Sequence, residues 1–282
     1  MIQEMLKVLQ YEFMQNALLA GMLVSVACGI IGTYVVLKRI VFLSGGIAHT
    51  AYGGVGLGYF FGIDPLISAA LFSLLASFGM GAVQRRMKAR ADTIIGVMWA
   101  IGMAIGIIFV DLSQGYKADL MSYLFGSILA VSEMELFMML VLDFVIILLV
   151  TLFFKELMAI SFDETYALVR NIPVDWINML LVGMIGLTVV MMMRIVGLIM
   201  VIALLTIPPA ISNMWVKDMK KMMIYSVLLS LAFTFAGLWL SYFWNLTSGA
   251  TIILVGGTAY LLSLLGKSIY QRGTRKALIL TK

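Results

Sequence analysis

LFMMLVLDFVIILLVTLFF, residues 136–154, contains a single ionisable side chain, Asp143, in an otherwise apolar run. A helix that crosses a bilayer needs about 20 apolar residues in a row. This run meets that need, and others like it follow along the chain. Nine segments read as spans: 13–37, 45–62, 65–84, 93–111, 136–154, 176–193, 195–216, 222–244 and 250–266. Of the 282 residues, 63% are hydrophobic and only 12% are charged, and the mean hydropathy is +1.08. A soluble domain carries about 25% charged residues, so this chain has too little polar side chain to cover a water-facing surface. The weak alternation of a membrane β-barrel is absent. The fold class is therefore all-α: one polytopic membrane domain over residues 1–282, with about nine transmembrane helices. Eight would remain if the glycine-rich segment near His49 were re-entrant.

The basic residues give the sidedness. Lys38 and Arg39 form one cluster, Arg85, Arg86, Lys88 and Arg90 a second, Lys155 and Arg170 a third, and Lys217, Lys220 and Lys221 a fourth. With the tail from Lys267 to Lys282, these regions hold 16 of the 19 Lys and Arg. Nine alternating spans put all five on one face, which the positive-inside rule makes cytoplasmic. The N-terminus is then expected outside and the C-terminus inside, in a cell membrane. The net charge of +5 is accounted for by these flanks and calls for lipid contact, with no nucleic-acid partner.

Three regions interrupt the simple alternation. Residues 115–135 are too apolar to float freely and are expected to fold back as a short helix in the outer half. Residues 155–175 form a cytoplasmic loop long enough to imply a function. Within it Phe162, Tyr166 and Val169 follow at i, i+4 and i+7, one apolar stripe on an expected short amphipathic helix, with Asp163, Glu164 and Arg170 on its flanks. Anionic lipid would repel those acids, so a groove on a soluble partner suits the stripe better. Pro208 and Pro209 interrupt the seventh span and free carbonyls that need partners at depth.

Chemistry is sparse. One histidine and one cysteine, Cys28, cannot build a catalytic metal cluster within one chain, and internal disulfides are excluded. No phosphate loop exists: the only Gly-Lys pair, Gly266-Lys267, has Leu261 where the first glycine belongs. The chain is read as a non-enzyme. Gly45, His49 and Gly53 recur at spacing four and share a helix face, with Gly54 and Gly58 as a second small-residue stripe. That pattern serves helix packing, or a solute pathway on which the imidazole offers a neutral nitrogen to a divalent metal; both readings stay open. An ionised Asp143 at mid-bilayer would cost roughly 2.5–3.5 kcal/mol, so it is protonated or paired inside the bundle. Arg194 belongs at an outer turn, in contact with lipid headgroups or with a partner acid such as Glu133 or Glu135. Asp143, Arg194 and the two prolines are candidates for ion pairing or gating. The 23 methionines read as flexible packing rather than a thioether copper path.

Together these segments resemble the permease subunits of the ATP-binding-cassette importers for zinc, manganese and iron. The likeness rests on residues 32–62, on ADTIIGVMWAIGMAIGIIF from Ala91, DLMSYLFGSILAVS from Asp119, SFDETYALVRNIPV from Ser161 and VGLIMVIALLTIPPAIS from Val196, in this order. The later half is also similar to the larger permeases for iron-siderophores and vitamin B12. The resemblance implies a type II importer bundle and a two-fold dimer of this chain. It also implies two separate ATPase subunits below and an extracellular metal-binding protein above. No cofactor would be held stably; a divalent metal would pass through, and ATP would act on the partner. Residues 155–175 would be the coupling loop, and His49 a transient metal ligand. Many members of that family place Asp one turn before this histidine, where Gly45 stands here, so no ligand is carried over to Gly45. The other readings are a metal-chelate importer, an ATP-independent channel and a structural scaffold.

Overall fold

The computed structural model describes residues 10–113, 126 and 128–280, without the side chains of Lys88 and residues 272–280. Among the described residues stand nine long helices and no strand. They are α1 (Glu12–Leu37), α2 (Val41–Phe61), α3 (Pro65–Arg86), α4 (Ala91–Leu112), α5 (Glu133–Leu152), α8 (Val174–Val196), α9 (Leu198–Trp215), α10 (Met219–Trp244) and α11 (Ser248–Leu280). Two short helices, α6 (Phe154–Phe162) and α7 (Glu164–Val169), lie between α5 and α8. Eight of the long helices are apolar enough to cross a membrane. The ninth, α2, falls short in hydropathy because glycines, Thr50 and His49 dilute it. It is nevertheless a continuous helix of 21 residues, about 32 Å long, rather than a re-entrant loop.

Local chemistry sets the helix ends. Ser132 opens α5 with a capping box: its hydroxyl accepts from the Glu135 amide at 3.3 Å, and the Ser132 amide donates to Glu135 Oε2 at 2.9 Å. That starts the helix three residues before the apolar run. Asp64 opens α3 by accepting from the Leu66 and Ile67 amides, with Pro65 in the first turn. The break between α8 and α9 falls at Gly197, whose φ of 83° a side chain would resist, and not at Arg194. The short helix expected in 115–135 lies largely outside the described residues; Ile128–Ala130 form a single 3-10 turn.

The core sits on α1 and α8. Their most apolar windows are 67% and 72% buried, against 22–28% for α3, α4, α5 and α11. The outer helices turn apolar side chains such as Leu75, Ile108 and Phe144 outward, as lipid-facing helices do.

Small residues bring the helices together. Gly56 of α2 and Gly106 of α4 meet so closely that a Cβ on Gly56 would collide with the Gly106 backbone. Gly54 faces Ala69 of α3, and Gly29 of α1 faces the Val227 backbone of α10. Gly32 of α1 leaves room for the Leu205 carbonyl and the Pro209 ring of α9. The α-helix continues through both prolines, which are buried. Just before them, the Thr206 hydroxyl donates to the Ile202 carbonyl at 2.8 Å. Cys28 and Met192, Met193 and Met200 are buried in the core.

Candidate functional site

His49 is carried on α2, one turn after Gly45. Its ring lies flat against Trp99 of α4, with centroids 4.1 Å apart and planes 16° from parallel. Trp99 is held in turn by its indole N–H, 3.1 Å from Met103 Sδ, and by Phe42, whose ring centre is 6.1 Å away. The stack fixes the plane of the imidazole. His49 Nδ1 is buried and meets no hydrogen-bond partner among the described residues. A buried polar atom without a partner is uncommon and calls for an explanation.

The three residues of the Gly45–His49–Gly53 face divide. Around Gly45 no heavy atom lies within 4 Å of where a Cβ would stand, so this position opens on space. Gly53 is buried in the α2–α3–α4 seam, against the Phe72 ring and the Gly102 carbonyl. Packing therefore occupies one end of the face, and open space with a half-buried imidazole the other. Among the described residues no three His, Cys, Asp or Glu side chains gather as a metal cage. One chain brings a single neutral nitrogen donor to this place, suited to transient contact with a borderline metal ion rather than to closed coordination.

The second region is the turn between α5 and α8. A single helix through Phe162, Tyr166 and Val169 does not form. Asp163 takes an extended conformation (φ −152°, ψ 105°) and ends α6. Its carboxylate then caps α7 by accepting from the Thr165 and Tyr166 amides at 2.8 and 3.1 Å. Phe162 thus closes α6, while Tyr166 and Val169 belong to α7. Phe162, Tyr166, Leu168 and Val169 are all more than half exposed. Arg170 lies over the Tyr166 ring at 6.0 Å. Glu164 turns inward, accepting from Lys38 Nζ at 3.0 Å and from Asn178 Nδ2 at 3.3 Å.

Behind this turn lies a cavity of about 380 Å³ with both charged and apolar residues in its wall. Lys38 and Arg39 of the α1–α2 corner, Arg85 of α3, Asp92 of α4, Glu164 and Asn178 line it. Arg85 also pairs with Asp175 at the start of α8.

Arg194 meets Glu135 at 3.0 Å, joining the last turn of α8 to the first turn of α5. Each charge also suits its helix terminus. Asp143 is buried, and neither carboxyl oxygen has a hydrogen-bond partner among the described residues. Sequence reasoning did not reach Trp99 or Lys38. Trp99 is one aromatic in an apolar run, and Lys38 is one more member of a basic flank; nothing in either pattern reveals the contact.

A model of the ABC 3 transport family matches residues 10–267. An uncharacterised membrane protein of Synechocystis is 58% identical over 264 residues, covering 94% of each chain. The manganese transport system membrane protein MntC of Listeria monocytogenes is 31% identical over 257 residues, covering 91% of each. Among solved structures, PsaBC from Streptococcus pneumoniae in complex with Fab superposes with a TM-score of 0.84 at 31% identity, covering 93% of this chain and 95% of that one.

Proposed function

Because this chain belongs to the ABC 3 transport family, we propose that it is the membrane permease subunit of an ATP-driven importer of divalent metal ions, manganese first among them. The manganese assignment is supported by relatives named for that ion. Two copies of the chain form the pathway between them, and alternating access carries the ion across. Residues 155–175 are the docking turn for a separate ATPase subunit, and an extracellular binding protein delivers the metal. The N-terminus is outside and the C-terminus cytoplasmic.

One observation carries the coupling half of this reading. Four large apolar side chains, Phe162, Tyr166, Leu168 and Val169, stand exposed on the α6–α7 turn, beside the basic flanks that mark the cytoplasmic side. Exposed apolar clusters of this kind mark interaction surfaces. Aromatic anchors in such clusters carry much of a partner's binding energy.

On the pathway half, His49 offers a nitrogen whose plane is set by Trp99 and whose neighbour at Gly45 is empty space. In a two-fold dimer, two such imidazoles supply donors without fixed negative charge. The ion is then held loosely and keeps part of its water shell. A pathway that must release its cargo requires weak holding.

The test is uptake of Mn²⁺ into proteoliposomes holding the permease with its ATPase subunit, with and without ATP. ATP-dependent accumulation by the wild type, lowered about tenfold in His49→Ala with the complex still assembled, supports the reading. Equal uptake by His49→Ala would return the histidine to packing. Uptake of a metal chelate in preference to the free ion would favour the chelate importer.

A further inference from the structure

Among the ion pairs of the described residues, Lys38–Glu164 has the most buried cation. The Lys38 side chain is 10% exposed and that of Glu164 36%. Lys38 leaves α1 just where that helix ends, yet its ammonium reaches across to the docking turn. It donates to the Ile160 carbonyl at 2.9 Å and to Glu164 Oε1 at 3.0 Å. Ile160 lies in the last turn of α6, where carbonyls lack intrahelical partners, and a cation there is favoured by the helix dipole. Glu164 is the first residue of α7, and Asn178 of α8 shares its carboxylate. One ammonium thus ties the end of α6 and the start of α7 to the corner between α1 and α2.

That corner is rigid. The Lys38, Arg39 and Ile40 amides donate back to Tyr34, Val36 and Val35 at 2.9, 3.2 and 3.0 Å. Arg39 holds a left-handed φ of 58°, and Ile40 is 3% exposed. From the corner α2 runs without a break to His49, eight residues beyond Val41 and about 12 Å along the axis. Displacing α7 against such a corner moves the foot of the helix that carries His49.

We infer that Lys38 is a positioning residue for transport: through Glu164 it links the α6–α7 docking turn to α2, so that movement of the ATPase reaches the pathway. This rests on the reading of residues 155–175 as the docking turn. The link is a positional one. The pair need not add much stability, because a partly buried ion pair costs desolvation that its attraction only offsets. Its value lies in fixing the relative placement of two elements joined by no covalent neighbour.

The experiment uses the permease–ATPase complex in proteoliposomes and reads Mn²⁺ taken up per ATP hydrolysed. Lys38→Met and Glu164→Gln should each lower that ratio about five- to tenfold, the lower end of the range for coupling between sites. For Lys38→Met, which lies outside the docking turn, the amount of ATPase subunit co-purified should stay at the wild-type level. The double variant should lose no more than either single one, because both cut one link. The exchange Lys38→Glu with Glu164→Lys should recover part of the ratio. A purely structural role would lower thermal stability and leave the ratio unmoved, which overturns the inference. Additive losses in the double variant would overturn it too. So would a fall that merely follows lost ATPase subunit. If the wild-type permease retains no ATPase subunit, the docking reading itself fails and takes the link with it. If docking is intact and the ratio unchanged, only the link fails.

Discussion

The α2 segment around His49 and the α6–α7 turn mismatch their surroundings in opposite senses. On α2 a polar ring, one of whose nitrogens has no hydrogen-bond partner among the described residues, is set in an apolar bundle. On the turn, Phe162, Tyr166, Leu168 and Val169 stand in the open beside charged neighbours. Either arrangement costs free energy in the isolated chain, the first by desolvation and the second by unburied apolar area. On the proposed function, each cost would be relieved from outside the chain: by the transported ion in one case, by the ATPase surface in the other. The contrast also separates two kinds of glycine. Gly53, Gly54 and Gly56 are buried in seams, while Gly45 faces space, so one small-residue pattern packs at one end and stays open at the other.

The largest test of this contrast strikes the turn. Phe162→Ala with Tyr166→Ala should reduce co-purification of the ATPase subunit and ATP-driven uptake by about thirtyfold or more, as loss of interface anchors does. The permease should remain folded, because those side chains are not in the core; a pull-down with matched thermal melts checks both. Next comes a seam. Gly56→Val should destabilise the detergent-solubilised protein by about 1–3 kcal/mol through overpacking against Gly106, read as a lowered melting temperature. Stability equal to wild type would remove the packing half of the contrast. His49→Ala should cost uptake on the order of tenfold, in line with weakened metal sites, with melting temperature nearly unchanged. The smallest effect sharpens the access half. Gly45→Asp places a carboxylate in open space one turn from His49 and should lower the apparent KM for Mn²⁺ severalfold without a loss of stability. A destabilised, inactive Gly45→Asp protein would mean that the space is needed for packing.

Much of this architecture is legible in hydropathy alone. Lipid leaves the backbone little choice but helices, and the apolar runs are nearly uninterrupted. The α2 segment was the hard case, because packing on α3 and α4 and not apolar composition holds it in place. Arg194 with Glu135 could be read, since opposite charges at two adjoining helix ends leave few partners. The docking turn was misread as one helix because the i, i+4, i+7 stripe outweighed a plain start signal: Asp163 is an N-cap residue, and its carboxylate claims the Thr165 and Tyr166 amides. His49 against Trp99 and Lys38 against Glu164 lay beyond sequence. Both contacts join residues far apart in the chain and depend on the registers at which α2 meets α4 and the corner meets α7.

The account stands or falls on the chain being a pathway driven by a separate engine. The direct measurement is Mn²⁺ accumulation against its gradient in ATP-loaded proteoliposomes, with the permease alone and with its ATPase subunit. Accumulation only when both proteins and ATP are present is the predicted result. Uphill movement or ATP hydrolysis by the permease alone would contradict it.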